Sequence, residues 1–183
     1  LAKTNSKKKN TLLFLVIAPM WMNFLLRTYA WLTILENNGI INRILMFLGL
    51  GQHQLLYNEG AVLLGMVYNY LPFMILPIYT VLTKLDNSVI QASYDLGANK
   101  LQTFSRVEFP LSMPGVYSGI AMVFMPAVTT FVISKLLGGG QQMLIGNIIE
   151  KQFMEVSSTS SFGGALSLIL IVVILISMAV SNK

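Results

Sequence analysis

Apolar residues along this chain gather into four long stretches. They cover residues 12–32, 60–82, 116–137 and 163–181. Each is close to the ~20 residues with which a helix crosses a hydrocarbon core about 30 Å thick. The pattern predicts an all-α integral membrane protein with four transmembrane helices in this sequence, which form a single transmembrane domain.

The first stretch admits a second interpretation, a cleaved signal peptide. Three lysines at positions 7–9 precede the apolar run 12–18, as the basic and apolar regions of such a peptide would. Apolar character resumes after Pro19, however, and no cleavage site of small residues follows. We therefore expect a transmembrane helix here, although Asn23 and Arg27 interrupt it.

Composition excludes several classes of function. Only 10% of the 183 residues are charged, 55% are apolar and the mean hydropathy is +0.68, which is unlike a water-soluble domain. Much of the positive charge lies in a lysine-rich leader, which suits an anionic membrane surface better than nucleic acid. Without cysteine and with His53 alone, we expect neither a metal site nor a catalytic dyad, and no cofactor.

The distribution of Lys and Arg predicts which segments face the cytoplasm. The leader, the loop 83–115 and the C-terminal tail together carry eight of these residues, and the rest of the chain carries four. Cytoplasmic loops are enriched in positive charge, so we expect these three segments on the cytoplasmic side. Arg27 and Lys135 lie near the ends of predicted spans, where their charged groups can reach water.

The cytoplasmic loop is too long for a simple connection and has a helical pattern of its own. Ser88 and Gln91 have the spacing of a capping box, which predicts a helix start. Gly97 suits the left-handed turn that ends such a helix. A second helical segment follows until Pro110 and Pro114 end it. We therefore predict a helix, a turn and a helix in the cytoplasm.

One face of the first helix in this loop combines apolar and small residues, at Val89, Ala92, Ser93 and Leu96. Small side chains allow another protein to approach closely. Periodicity alone leaves two interpretations open, a helix that docks on a partner and a helix that lies on the membrane surface.

The sequence of this loop resembles the cytoplasmic loop of ABC importer permeases, in which an EAA triplet precedes a glycine and a spaced hydrophobic-x-hydrophobic-Pro pattern. The matching residues are Gln91-Ala92-Ser93, Asp95-Leu96-Gly97-Ala98, Phe104, Val107, Phe109-Pro110 and Pro114-Gly115. The resemblance implies that an ATPase subunit is contacted by Gln91, Ala92, Ser93, Asp95, Leu96, Gly97 and Ala98. Gln91 replaces the usual Glu, so a charge-assisted contact becomes a neutral hydrogen bond of about half the strength.

Five further segments resemble the spermidine/putrescine branch of this family, at residues 27–31, 38–42, 71–77, 136–140 and 162–167. The resemblance implies a permease subunit of an ATP-driven polyamine importer in a bacterial cell membrane, with the six-helix type I fold and a helical coupling loop. The implied partners are an ATP-binding subunit dimer, a second permease subunit and an extracellular or periplasmic polyamine-binding protein. Because four spans are visible and the sequence begins at Leu1, two more are expected upstream in an N-terminally truncated chain.

The chain lacks the motif through which a subunit binds ATP. No G-x-x-x-x-G-K-[ST] sequence occurs, so we expect ATP hydrolysis in a separate subunit. Ser134 and Lys135 do not suit a nucleophile and its base, since neighbouring residues point apart on a helix and no third group orients them. We therefore expect no catalytic residue in this chain.

A polyamine is a flexible polycation, so its path should offer carboxylates or aromatic faces. The four predicted spans contain neither Asp nor Glu. The candidate path residues are therefore acids outside the spans and aromatic residues, namely Glu36, Glu59, Glu150, Glu155, Tyr29, Trp31, Tyr68 and Tyr70. Packing or an interfacial belt is the alternative for the aromatic residues, and simple solvation is the alternative for the acids.

Two other classes of protein stay open at this point. An ion-coupled secondary transporter or channel would carry an ionisable residue within a span, and only Arg27 and Lys135 come near one. A membrane hydrolase would need a Ser-His pair, paired Asp residues or a metal cluster, which the sequence does not provide.

Overall fold

The computed structural model describes residues 6–154 and 160–181, and all regular structure within them is helical. Glu155 and the basic tail residue Lys183 lie outside the described residues. A 3₁₀ turn (Ala18–Trp21) follows the first helix, and a π-helical turn (Phe104–Glu108) joins the sixth to the seventh. The helices are α1 (Ser6–Ile17), α2 (Phe24–Leu35), α3 (Ile40–Phe47), α4 (Glu59–Lys84), α5 (Asn87–Asp95), α6 (Lys100–Thr103), α7 (Phe109–Thr129), α8 (Val132–Leu137), α9 (Ile145–Met154) and α10 (Ser160–Ser181).

The chain divides into two compact units. Unit 1 comprises Leu1–Ala18 and Leu71–Val123, and unit 2 comprises Pro19–Tyr70 and Phe124–Lys183. Helices α4 and α7 therefore contribute residues to both units. The expectation of a single transmembrane domain stays a prediction.

Within the described residues, three helical segments are long and apolar enough to cross a membrane. They are Glu59–Lys84, Lys100–Thr129 and Phe162–Ala179. A fourth span is counted only if Asn10–Trp21 and Phe24–Phe47, which meet at a bend of 100°, are taken as one. Apolar side chains of α10 are widely exposed, as Leu168 at 66% and Ile169 at 61% illustrate. A helix that is apolar all round suits lipid rather than water. The all-α membrane class predicted from the sequence is confirmed.

The first predicted span, residues 12–32, is two helices instead of one. Helix α1 ends in the 3₁₀ turn, which contains Pro19, and α2 begins after Asn23. The side-chain oxygen of Asn23 accepts a hydrogen bond from the Leu25 N–H at 2.8 Å and so caps the new helix. The stretch expected to form one interrupted transmembrane helix is therefore two helices, with the break at Asn23, one of the predicted interruptions.

The third predicted span, residues 116–137, has different bounds. Helix α6, the π turn and α7 form one continuous helical segment, Lys100–Thr129, and the last residues of the predicted span form the separate helix α8. Ile133, Ser134 and Leu137 of α8 are fully buried, so α8 belongs to the core of unit 2. The second and fourth predicted spans correspond closely to α4 and α10.

Pro110 and Pro114 lie within this helical segment, although the sequence predicted that they would end it. The Phe109 N–H donates to the Phe104 carbonyl, five residues back instead of four. This wider π turn lies directly before Pro110, where the ring would otherwise press on the preceding turn of an α-helix. The helix therefore continues because its geometry changes just before the first proline.

Two glycines of α7 bring this helix close to α4 in unit 1. A Cβ atom at Gly115 would lie 2.9 Å from the Ile78 Cα and 3.0 Å from the Pro77 carbonyl oxygen. A Cβ atom at Gly119 would lie 2.6 Å from the Met74 sulfur. The distances from Gly115 to the α4 backbone are too short for a side chain, so the absence of one there sets the spacing between the helices.

The close approach at Gly115 predicts that even one methyl group there is destabilising. We expect Gly115→Ala to lower the free energy of unfolding by about 1–3 kcal/mol, because the α4 backbone must move to admit the new atom. Gly164→Ala is the matched control, since no atom lies within 4 Å of a Cβ there. The measurement is the thermal unfolding midpoint of the purified protein in detergent. Equal midpoints for the two variants would contradict the proposed contact.

Candidate functional site

The coupling loop predicted from the sequence is a compact pair of helices in unit 1. We call residues 86–103 the α5–α6 hairpin. Helix α5 starts after Asp86, whose carboxylate accepts a hydrogen bond from the Ser88 N–H at 2.9 Å. Hydrogen bonds from the backbone and then the side chain of Ser88 hold the pKa of Asp86 below its usual value. The predicted capping box at Ser88 is therefore wrong by two residues, because Asp86 caps the helix.

The turn between the two helices has the conformation predicted from Gly97. This residue has φ +82°, and its N–H donates to the Tyr94 carbonyl at 2.9 Å. The Ala98 N–H then donates to the Ser93 carbonyl at 3.0 Å. Such a left-handed turn after a helix favours glycine, so the prediction is confirmed.

Helix α6 is fixed at its start by a capping box that was not predicted from the sequence. The Asn99 side chain accepts a hydrogen bond from the Gln102 N–H, and the Gln102 side chain accepts one from the Asn99 N–H, both at 2.9 Å. The spacing Asn-x-x-Gln in the sequence contains this signal.

A buried hydrogen bond joins the two helices of the hairpin. The hydroxyls of Ser93 and Thr103 lie 3.0 Å apart, and the two residues are 8% and 0% exposed. Ser93 was predicted on the docking face, but its side chain lies between the helices. Polar contacts thus hold the hairpin together, and the small side chain of Ser93 lies between its two helices.

The outer surface of the hairpin is apolar at its tip. Leu96 is 88% exposed and Leu101 is 75% exposed. Among the other predicted coupling residues, Gln91, Ala92, Asp95 and Gly97 are exposed, and Ala98 is half-buried. Exposed leucines on a rigid element flanked by polar groups are typical of a surface that binds another protein.

Unit 2 contains a second polar cluster, where α8 and α9 begin. The Asn147 side chain donates to the Phe131 carbonyl and accepts from the Leu144 N–H, each at 3.1 Å. The buried Ser134 hydroxyl lies within hydrogen-bonding distance of both the Asn147 side-chain oxygen and the Phe131 carbonyl. Asn147 thus ties α8 to α9, a role for which its sequence context gave no signal.

An ion pair joins the same two helices. The Lys135 Nζ lies 2.7 Å from the Glu150 Oε1. The two side chains differ in burial, at 60% exposure for Lys135 and 15% for Glu150. Glu150 was predicted as a candidate path residue and Lys135 was expected only to reach water, so their pairing was not predicted.

Glu150 borders two clefts of unit 2, each of about 400 Å³. One cleft is mainly apolar and is lined in part by Phe131, Ile149, Phe153 and Leu170. The other is more polar and is lined in part by Lys135, Gln142, Asn147 and Lys151. Clefts of this size are large enough for small organic ligands.

The other candidate path residues have different surroundings. Trp31 and Tyr68 form an edge-to-face pair with ring centroids 5.3 Å apart. Tyr70 is buried, and its hydroxyl donates to the Pro126 carbonyl at 3.1 Å, which is a packing role. Tyr29, Glu36 and Glu59 are exposed. Of the candidates that the structure describes, Glu150 alone is an acid that borders both clefts.

The chain matches known transport proteins along its whole length. A family described as "Binding-protein-dependent transport system inner membrane component" matches residues 1–183. The spermidine/putrescine transport system permease protein PotB of Escherichia coli (strain K12) is 42% identical over 175 residues, which are 94% of this chain and 63% of that protein. The protein of the same name from Haemophilus influenzae is 42% identical over 170 residues, 92% of this chain and 59% of that protein.

A more distant relative has a more general name. The inner membrane ABC transporter permease protein YdcU of Escherichia coli (strain K12) is 33% identical over 162 residues, 81% of this chain and 51% of that protein. The chain therefore spans less than two thirds of the length of each of these three relatives.

Proposed function

Because the chain belongs to the family of binding-protein-dependent transport system inner membrane components, we propose that it is the membrane-spanning permease subunit of an ATP-driven importer of spermidine and putrescine. The observation that carries the proposal is the 42% identity, across 94% of this chain, with a protein named as a spermidine/putrescine permease. The importer is proposed to lie in a bacterial cell membrane. Its other parts are an ATP-binding subunit dimer, a second permease subunit and an extracellular polyamine-binding protein.

The α5–α6 hairpin is proposed to receive the movement of the ATP-binding subunit. Leu96 and Leu101 offer apolar contact, while Gln91 and Asp95 offer polar contact around it. The hydrogen bond between Ser93 and Thr103 supports movement of the hairpin as one body. A hairpin without such an internal tie would deform instead of transmitting force.

The helix that follows the hairpin gives the movement a path into the membrane. Lys100–Thr129 is helical from the hairpin through the π turn into α7. Displacement of the hairpin therefore acts directly on α7, whose glycines pack on α4. Alternating access would follow from small shifts of these packed helices.

An ion-coupled transporter or channel is less well supported. Such a protein would hold its driving ion with an ionisable group inside a span. Residues 60–82 of α4, all of α7 and all of α10 contain no Asp, Glu, Lys or Arg, and the broken first span contains Arg27 but no carboxylate within residues 12–32. The exposed hairpin would also have no role in a transporter that uses no ATPase.

Uptake by the full-length gene product with its partners tests the proposed cargo. We expect cells that lack other polyamine importers to accumulate labelled putrescine and spermidine, and to stop when the ATP-binding subunit is inactivated. A mixture of labelled amino acids, sugars and oxyanions serves as the control. Transport of one of these classes, with neither polyamine taken up, would overturn the assignment of cargo.

Two substitutions in the hairpin test its role in coupling. Ala92→Trp adds bulk to the exposed face of α5, and overpacking an interface typically costs about 1–3 kcal/mol. Gly97→Val penalises the left-handed turn by about 1–2 kcal/mol. We expect both variants to reach the membrane at normal levels but to bind the ATP-binding subunit weakly, or to hydrolyse ATP without uptake.

Matched substitutions at the same positions separate coupling from folding. Ala92→Ser keeps the side chain small, and Gly97→Asn places there a residue that tolerates left-handed backbone. Both should retain most uptake. If Ala92→Trp and Gly97→Val also retain normal uptake and co-purification with the ATP-binding subunit, the hairpin lies passively at the membrane surface.

A further inference from the structure

Glu150 is a largely covered carboxylate that is paired with a cation. Its side chain is only 15% exposed, and covering a carboxylate is costly unless a positive group or hydrogen bonds compensate it. Lys135 supplies that group at 2.7 Å. Glu36 and Glu59, by contrast, are exposed.

The Lys135 side chain, which compensates the charge of Glu150, is chemically similar to the proposed cargo. A lysine side chain consists of four methylenes and an ammonium, and putrescine consists of four methylenes with an ammonium at each end. Spermidine carries the same four-carbon amine at one of its ends. The contact between the Lys135 Nζ and the Glu150 Oε1 therefore resembles how this carboxylate would hold the end of either polyamine.

The two partners of this ion pair are unequally free to move. Lys135 is 60% exposed on a flexible stem, so its ammonium can leave for water at little cost. Glu150 cannot regain hydration as easily, because most of its side chain is covered. When Lys135 leaves, another ammonium is favoured in its place.

The apolar cleft beside Glu150 suits the rest of such a molecule. Phe131, Ile149, Phe153 and Leu170 line it, and Glu150 lies at its border. Methylenes can pack against the aliphatic side chains, while the ring faces of Phe131 and Phe153 attract a second ammonium.

We propose that Glu150 binds a terminal ammonium of the polyamine during transport and that Lys135 occupies the same carboxylate when no cargo is present. This inference rests on the proposed function. Lys135 lines the polar cleft, so its positive charge weakens the hold on a cationic cargo. Weak binding suits a transport path, which must release its cargo.

A purely structural ion pair would have different consequences. Asn147 already joins α8 to α9 through hydrogen bonds, so the helices do not depend on the ion pair to stay together. If the pair served stability alone, removal of either partner would lower uptake to a similar extent. Exchange of the two charges would then restore uptake.

The concentration dependence of uptake distinguishes these roles. In the full-length gene product with its partners, we expect Lys135→Met to lower the KM for labelled putrescine and spermidine, because it removes the competing ammonium. Glu150→Gln should raise KM by about tenfold or more, since a charged hydrogen bond is lost. The double variant Lys135→Glu with Glu150→Lys should keep a raised KM. Gln54→Ala, at an exposed residue that lines neither cleft, is the control and should not change KM.

Other outcomes overturn the inference in distinguishable ways. Equal impairment by Lys135→Met and Glu150→Gln, with uptake restored by the charge exchange, would assign the pair to structure alone. An unchanged KM in Glu150→Gln, with the variant present in the membrane at normal level, would also overturn the subsite while leaving the polyamine function intact. Failure of the unmodified transporter to take up either polyamine would overturn the proposed function and the subsite together.

Discussion

Backbone groups inside a membrane have no water to bind, and this constraint accounts for the irregular points of the structure. At several points where a described helix stops or changes direction, another group of the chain compensates. The Tyr70 hydroxyl binds the Pro126 carbonyl near the end of α7, and Asn147 binds the Phe131 carbonyl before α8. The π turn before Pro110 keeps the helix continuous. The break before α2 is compensated locally by Asn23, and the one before α8 by a residue of the neighbouring helix α9.

The same compensation positions both candidate functional regions. Asn147 holds α8 against α9, and this brings Lys135 to Glu150. In unit 1, the hydroxyls of Ser93 and Thr103 bond to each other, which leaves the leucines of the hairpin on its outside. Polar contacts in the interior thus decide which charged and apolar groups are presented at the surface.

The membrane class and two of the helices followed from the sequence because hydropathy reports them directly, as in α4 and α10. Gly97 was also predictable, since few residues accept its backbone conformation. Asn23 was recognised as an interruption, but the N-cap that makes it the start of a new helix was not predicted. The helix through Pro110 was not predicted because it depends on a π turn, whereas proline usually ends a helix. The pair of Lys135 with Glu150 depends on tertiary packing between residues fifteen positions apart, which no local pattern encodes.

The proposed coupling requires that the α5–α6 hairpin face the cytoplasm, and the proposed subsite requires that cargo from outside reach Lys135 and Glu150. Single cysteines can test this sidedness because the sequence contains none, and Lys100 and Gln141 are both exposed. With a membrane-impermeant thiol reagent on intact cells, a cysteine at position 141 should react, and one at position 100 should react only after permeabilisation. Labelling at position 100 but not at position 141 in intact cells would contradict the arrangement.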